Sequence, residues 1–220
     1  NDAFKLANKP FRYNLSVGLA DNTSEITKFD NPSKILSDYY VGQKLGDIWG
    51  YVVDGLFRTD EEAANYNVDQ TAVNFVINTA QVNPGLHAGD MKFVDLDGDH
   101  TISSGSNTAD DPGDRKIIGN SLPRYTYSIQ GGFDWYGFDF SIYLQGVGHQ
   151  DWYPGTNSVF FWGPYARPYS SFIPRDFLSQ VWSPENPDAY FPRPIGYLAL
   201  GNNRSLGVVN DRYLQNLAYC

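Results

Sequence analysis

The chain has 220 residues, with 16 Lys and Arg against 25 Asp and Glu, a formal net charge of −9, and 16% aromatic residues. This acidic balance, without any basic stripe, excludes a nucleic-acid-binding surface, which needs cationic side chains to displace counterions from phosphates. Apolar runs are only a few residues long, which excludes a membrane-spanning helix of roughly 20 apolar residues. The single cysteine, Cys220, excludes an internal disulfide framework.

Three stretches alternate apolar and polar residues with a period of two, the pattern of a β-strand with one apolar face. They are residues 11–19, 125–135 and 138–147, and the last two flank a tight turn at Tyr136 and Gly137. These two predict a long β-hairpin with aromatic residues near its turn. Such a hairpin is typical of an outer-membrane barrel and also of a soluble antiparallel sandwich, so alternation alone leaves both open.

The whole chain predicts five strands and little helix. The strands are expected at 11–19, 45–57, 123–135, 138–147 and 212–220. Thr59, followed by three acidic residues, predicts one short helix, and the spacing of apolar residues over 175–182 predicts a second. Two long loop-like segments, 58–122 and 148–211, are expected at the end opposite the tight turn. The connection 20–44 is expected at the tight-turn end.

Most of the negative charge lies between Asp90 and Asp114, which hold seven acidic residues and one lysine. In the stretch DLDGDHTIS, three aspartates occupy positions 1, 3 and 5 of a calcium-binding loop, a residue at position 7 offers its backbone carbonyl, and Ile102 anchors the loop. The predicted ligands are Asp95, Asp97, Asp99, Thr101 and Asp114.

Two positions of this loop depart from the calcium-loop pattern. His100 stands where glycine is expected, and Ser106 stands at the closing position, where an acid is expected. Asp114 is predicted to close the site after an insertion of eight residues, with Asp110 and Asp111 as alternatives. The other interpretation is a solvated acidic turn. Mutual repulsion of three alternating carboxylates favours calcium in a structural role.

Catalytic motifs are missing from the sequence. Three histidines lack zinc-site spacing, and there is no HExxH, no GxSxG and no phosphate-cradling loop, so we do not expect an enzyme. A glycosidase carboxylate pair is the minor alternative. Aromatic residues of the second long loop are candidates for stacking on sugar rings or on a protein partner, and core packing beneath a loop is the equal alternative. The candidates are Trp152, Tyr153, Trp162 and Tyr165.

Four motifs follow one another in a specific order: LGDIWGYVVDGLF at 45–57, GDMKFVDLDGDHTIS at 89–103, RKIIGNSLPRYTYSIQGGFDWYGFDFSIYLQGVG at 115–148 and WSPENPDAYFPRP at 182–194. In this succession the chain resembles the C-terminal barrel of the SusC/RagA family of TonB-dependent outer-membrane transporters. The resemblance covers most of the chain. It implies an all-β fold: an antiparallel segment of a large transmembrane β-barrel with long extracellular loops and one or two short helices.

The resemblance further implies residence in the cell outer membrane of a Bacteroidetes-type bacterium and import of glycans or peptides. The implied partners are a SusD-like surface nutrient-binding lipoprotein and the TonB complex, which acts through a plug expected upstream. Residues 1–220 would then be a fragment, roughly a quarter of a barrel, as the missing initiating Met and the extended apolar C-terminal end also suggest. The alternative is a soluble secreted calcium-dependent carbohydrate-binding module, which folds alone.

Overall fold

The computed structural model describes residues 2–73, 85–166, 173–194, 200 and 205–220. The structure is mostly antiparallel β-sheet with a few short helices, as predicted. No helix in this part of the chain is long and apolar enough to cross a membrane. The strands are β1 (Asp2–Leu6), β2 (Lys9–Ala20), β3 (Asp47–Tyr51), β4 (Val53–Leu56), β5 (Met91–Phe93), β6 (Arg115–Asn120), β7 (Arg124–Trp135), β8 (Phe138–His149), β9 (Asp151–Trp152) and β10 (Gln215–Asn216). The helices are α1 (Asp60–Ala64), α2 (Val159–Trp162) and 3-10 helices at Gly163–Tyr165, Phe177–Gln180 and Asp211–Tyr213.

The largest sheet has four antiparallel strands in the order β1-β2-β7-β8. The β7–β8 hairpin predicted from the alternation is confirmed, with Trp135 opposite Phe138 across the turn. Tyr136 and Gly137 both have positive φ, as a tight two-residue hairpin turn requires. β1, which the sequence analysis did not predict, forms a second hairpin with β2, and its turn lies at the same end of the sheet.

One face of this sheet is apolar across all four strands. The register places side chains of the same polarity opposite each other: Val17 faces Ile129, and Ile129 faces Leu144. These side chains are exposed, and Leu19 keeps 74% of its surface accessible. The exposed members of the apolar face are Phe4, Leu6, Tyr13, Leu15, Val17, Leu19, Ile129, Phe138, Phe140, Ile142 and Leu144. The face therefore has no covering layer among the described residues.

Aromatic rings concentrate at the turn end of the apolar face. Phe4, Phe11, Phe133 and Phe140 form a ladder across the four strands, with successive ring centroids 5.0, 5.5 and 5.4 Å apart. Cross-strand aromatic pairs of this kind stabilise a sheet and fix its register. The intervening residues form the opposite, polar face of the sheet, which carries Asn14, Ser16, Ser128, Gln130, Ser141 and Gln145.

The stretch 45–57 forms strands, as predicted, but it does not join the large sheet as one continuous strand. β2 pairs directly with β7, whereas β3 pairs with β6 and β4 pairs with β5 in two separate two-stranded sheets. A bulge between Ile48 and Trp49 and a positive φ at Gly55 interrupt the extended run. Residues 21–123 are therefore one continuous excursion between neighbouring strands.

This correction also moves the connection 20–44. Ala20 lies opposite Thr126, far from the turn at Tyr136, so the connection leaves the sheet at the long-loop end and not at the tight-turn end. The direction differs from the prediction because 45–57 is not a strand of this sheet, so the chain does not cross the sheet between β2 and β7. One bridge, between Glu25 and Lys44, lies within the segment, and a second, between Ile35 and Thr108, joins it to the residues before Asp114.

Two other predicted elements are much shorter than expected. The helix at 175–182 reduces to the 3-10 helix Phe177–Gln180, because Val181 is extended and bridges Phe191. The strand at 212–220 reduces to β10 and an isolated bridge between Tyr219 and Val147. Its first residues belong to the 3-10 helix that begins after Asn210, whose side chain accepts a hydrogen bond from the Tyr213 N–H.

The hydrophobic core lies outside the large sheet, in a region we call the cap: the described residues within 21–123 and 150–220. Its buried members are Tyr51, Leu56, Val73, Met91, Phe93, Ile102, Trp162, Tyr165, Phe177, Val181, Phe191, Leu200, Leu206 and Tyr213. Core residues come from both excursions, so the two long loop regions pack on each other as one folded unit at the end of the sheet opposite the tight turns.

Candidate functional site

The acidic loop lies in the cap, between β5 and β6. Carboxylate oxygens of Asp95, Asp97 and Asp99 all lie within 4.8 Å of one another. Three such groups repel each other unless hydrogen bonds or a cation offset their charge. The structure therefore gathers the three aspartates that the sequence analysis grouped.

Backbone N–H groups turn these carboxylates toward the inside of the loop. Asp95 accepts hydrogen bonds from the N–H groups of Gly98 at 2.6 Å and His100 at 2.9 Å. Asp97 accepts one from Asp99, and Asp99 accepts one from Thr101 at 2.7 Å. Desolvation raises the pKa of Asp95, but the hydrogen bonds from His100 and Gly98 outweigh it and hold that pKa below its usual value. Asp95 is thus kept ionised in the folded loop.

Asp114 is fully buried beside the same loop. Its two oxygens accept hydrogen bonds from the N–H groups of Leu96 and Ser103, each at 2.7 Å, so one carboxylate holds both ends of the loop. Burial raises the pKa of Asp114, and the nearby charges of Asp97 and Asp95 act in the same direction. Asp114 is therefore close enough to be influenced by the charges of Asp97 and Asp95, but it lies outside the group of three carboxylates that converge within 4.8 Å.

The alternatives to Asp114 have other partners. Asp110 forms an ion pair with Lys34 at 2.8 Å. Asp111 accepts hydrogen bonds from the backbone and hydroxyl of Ser106. The inserted residues fold into a closed lobe, because the backbones at Gly105 and Gly113 approach so closely that a Cβ at either glycine would overlap the other's nitrogen. The insertion before Asp114 thus leaves the acidic loop itself intact.

His100, where calcium loops carry glycine, adopts a left-handed backbone with φ of 64°. This conformation explains why glycine is expected there, since a side chain at positive φ is strained. Thr101 forms a parallel bridge with Asp69 that uses the carbonyl of His100 and the N–H of Ile102. Ile102 is fully buried and anchors the loop in the core, as predicted.

The four loop aromatics proposed as stacking residues separate into two groups. Trp162 and Tyr165 are buried in the core, and Trp162 packs against Tyr213 with ring centroids 5.1 Å apart. For these two residues the structure favours core packing, the alternative left open by the sequence, because their rings are not accessible to a ligand. Tyr153 donates its hydroxyl to the carbonyl of Val208, and burial raises its pKa. Only Trp152, 41% exposed, offers an accessible ring.

The structure assembles an aromatic cavity that the sequence analysis did not identify. It lies beside α2 and the 3-10 helix Phe177–Gln180, and its volume is about 330 Å³. Residues from three segments, around positions 160, 180 and 190, line it together with Gln215. No local motif connects these segments, so only the fold brings them together.

No family model matches the chain. A TonB-dependent receptor of Formosa agariphila is 28% identical to it over an alignment 160 residues long, which covers 62% of this chain and 15% of that protein. The chain therefore spans only a small part of the length of the relative it matches. This similarity supports the TonB-dependent receptor class that the motifs suggested, and it does not single out the SusC/RagA branch. By sequence, the chain is similar to part of a TonB-dependent receptor.

Proposed function

We propose that the chain forms part of the barrel wall and the extracellular loops of an outer-membrane transporter that imports nutrients in a TonB-dependent manner. The exposed apolar face of the four-stranded sheet carries this proposal. A soluble protein rarely leaves a continuous apolar surface of this extent uncovered. Strands of barrel length, aliphatic in the middle and aromatic toward one end, suit a lipid-facing surface. The similarity to a TonB-dependent receptor supports the same conclusion.

The cap then belongs to the extracellular side. In outer-membrane barrels, tight turns lie on the periplasmic side and long loops on the outside, and both tight turns of this sheet lie opposite the cap. The proposed cargo is a glycan or a peptide, taken up with a SusD-like surface lipoprotein as partner. The role of the chain is binding, not catalysis. The alternative, a soluble secreted carbohydrate-binding module, would leave the apolar face without a partner.

Lipid partitioning tests the membrane part of the proposal. We expect the purified chain to float with phospholipid vesicles and expect Val17→Arg, in the middle of the apolar face, to weaken this by about 2–4 kcal/mol. Ser16→Arg is the matched control, since the neighbouring residue points to the polar face. A chain that stays monomeric in buffer and does not bind vesicles would contradict the proposal and support the soluble module.

We further propose that the acidic loop binds calcium in a structural role. Asp95, Asp97, Asp99, Asp114 and the carbonyl of Thr101 would form an all-oxygen ligand set of the kind that calcium prefers. The convergence of three carboxylates supports this proposal. A bound cation would remove their mutual repulsion and stiffen the connection between β5 and β6.

Calcium titration by calorimetry tests this site. We expect saturable binding that Asp97→Asn weakens at least about tenfold, because the site loses one charged ligand. The amide keeps an oxygen that accepts the Asp99 N–H. Asp111→Asn is the control, because that carboxylate is engaged by Ser106 in the inserted lobe. An equal loss of calcium affinity in both variants, or no calcium binding by a folded chain, would contradict the proposed site and support a solvated acidic loop.

A further inference from the structure

The aromatic cavity in the cap has apolar walls formed by packed rings. Phe161, Phe177, Tyr190 and Phe191 line it, and their rings contact each other, with the centroids of Tyr190 and Phe191 5.0 Å apart and those of Phe177 and Phe191 5.7 Å apart. Phe160 lines the cavity too and is 90% exposed. An exposed ring beside a wall of packed aromatic rings is suited to a flat ligand with an apolar face.

Two glutamine side chains add polar groups to this lining. The amide nitrogen of Gln215 donates to the carbonyl of Tyr213 and to the hydroxyl of Tyr190, both at 2.8 Å. The amide nitrogen of Gln180 donates to the carboxylate of Asp176 at 3.0 Å. A carbonyl and a carboxylate only accept hydrogen bonds, so these contacts settle which end of each amide is nitrogen.

Each glutamine therefore offers a ligand its side-chain oxygen, which accepts hydrogen bonds. Among the described residues, no donor contacts Oε1 of Gln180 or of Gln215. The cavity lining in this part of the chain contains no charged side chain. An anionic ligand would meet acceptors without a cation, and an aliphatic side chain would leave both acceptors unpaired, which is unfavourable when water is displaced.

We propose that this cavity is a binding subsite for one ring of a neutral sugar. The C–H face of a pyranose packs on aromatic rings, and its hydroxyls donate to the two glutamine oxygens. A cavity of about 330 Å³ holds one such ring with its first neighbours. The inference rests on the proposed transport function, of which it names the cargo class: a neutral glycan and not an acidic glycan or a peptide.

Binding to three probes tests the proposal: neutral gluco-oligosaccharides (cellohexaose and maltohexaose), an acidic oligogalacturonate and a tri-lysine peptide, each at millimolar concentration. We expect saturable calorimetric binding of a neutral probe only. Phe160→Ala should weaken that binding about tenfold by removing the stacking ring, and Gln215→Leu should weaken it similarly by removing an acceptor. Leu178→Ala is the control, 82% exposed and outside the lining, and should change nothing.

Binding of the acidic or the cationic probe at this cavity, or no binding of either neutral probe by a folded chain, would overturn the proposal. Because Phe160 is exposed, its loss does not disturb the fold. Vesicle flotation of the same samples separates the two hypotheses. Sugar binding without vesicle binding would overturn the membrane assignment alone, and vesicle binding without sugar binding would overturn the subsite alone.

Discussion

The four-stranded sheet and the cap differ in whether they bury their apolar residues. The sheet has long strands with regular alternation but leaves its apolar face open, as at Leu19 and Phe138. The cap has short, irregular elements but encloses residues such as Phe93, Met91 and Trp162 completely. Regular secondary structure and a protein core therefore occur in different parts of this chain. The cap is therefore stabilised by packing among its own side chains, whereas the apolar face of the sheet has no such packing among the described residues.

The largest expected effect comes from removing a buried aromatic ring in the cap, which leaves an empty space in the core. Phe93 is fully buried and packs edge-on against Tyr51 with ring centroids 5.9 Å apart. We expect Phe93→Ala to destabilise the cap by about 3–5 kcal/mol, the usual cost of removing a buried phenylalanine ring. Denaturant unfolding followed by tryptophan fluorescence measures this, because Trp49, Trp152, Trp162 and Trp182 all lie in the cap.

Leu15→Ala is the matched truncation on the sheet. Leu15 is 69% exposed, so the free energy of unfolding of the cap should change by less than about 0.5 kcal/mol. Equal changes in the free energy of unfolding in the two variants would show that the sheet and the cap unfold as one cooperative unit. The two regions would then not differ in how their apolar residues contribute to stability.

A buried ion pair gives the next largest effect. Asp90, whose side chain is 3% exposed, forms a bidentate pair with Arg193 at 2.6 and 3.2 Å and also accepts the His87 N–H. The pair ties the segment before β5 to the residues near 190. We expect Asp90→Ala to destabilise the cap by about 2–3 kcal/mol, below the full cost of breaking a buried pair because Arg193 is a third exposed.

The exposed pair between Arg58 and Asp188 is the control for that variant. Its atoms are as close, at 2.7 Å, but both side chains are mostly exposed. Arg58→Ala should cost less than about 1 kcal/mol, as surface pairs do. If both variants cost the same in thermal unfolding, burial is not what gives the Asp90 pair its strength.

Local patterns in the sequence predicted local structure well. The alternation over 125–147 gave the hairpin, and the five-residue span from Asp95 to Asp99 was short enough for loop geometry alone to gather the carboxylates. Connectivity was not predictable in this way. An apolar run such as 45–57 looks the same whether it joins the large sheet or pairs elsewhere, and a single misplaced strand inverts the direction of the next connection.

Burial of the loop aromatics was equally hidden from the sequence. Trp162 and Phe160 are neighbours in one short helix, yet the first is fully buried and the second is almost fully exposed. Composition assigns both to the same aromatic cluster, and only the packing of distant segments separates them. The glutamines at 180 and 215 give no signal in the sequence. Their role in the proposed subsite depends on the fold, in which each amide nitrogen donates to a protein acceptor and each amide oxygen has no protein donor among the described residues.

The smallest effect concerns the start of α1, in the cap. Thr59 accepts the Glu62 N–H at 3.1 Å and so caps the helix, and Glu62 accepts the Arg58 N–H at 2.8 Å and so ties the first turn to the residue before the N-cap. The hydrogen bond from the Arg58 N–H lowers the pKa of Glu62, desolvation opposes this shift, and Lys92 at 3.2 Å adds to the lowering. A carboxylate with a lowered pKa stabilises the fold above its unfolded pKa of about 4.3.

We therefore expect Glu62→Gln to cost less than about 1 kcal/mol at neutral pH. The difference from the unaltered chain should stay constant above about pH 5 and shrink as the pH falls through the lowered pKa of Glu62, because the protonated carboxyl no longer differs in charge from the amide. Glu61→Gln, at the exposed neighbouring position, is the control, and thermal unfolding between pH 3 and 7 is the measurement. A difference that grows on acidification would have the wrong sign and would show that the carboxylate does not stabilise this helix.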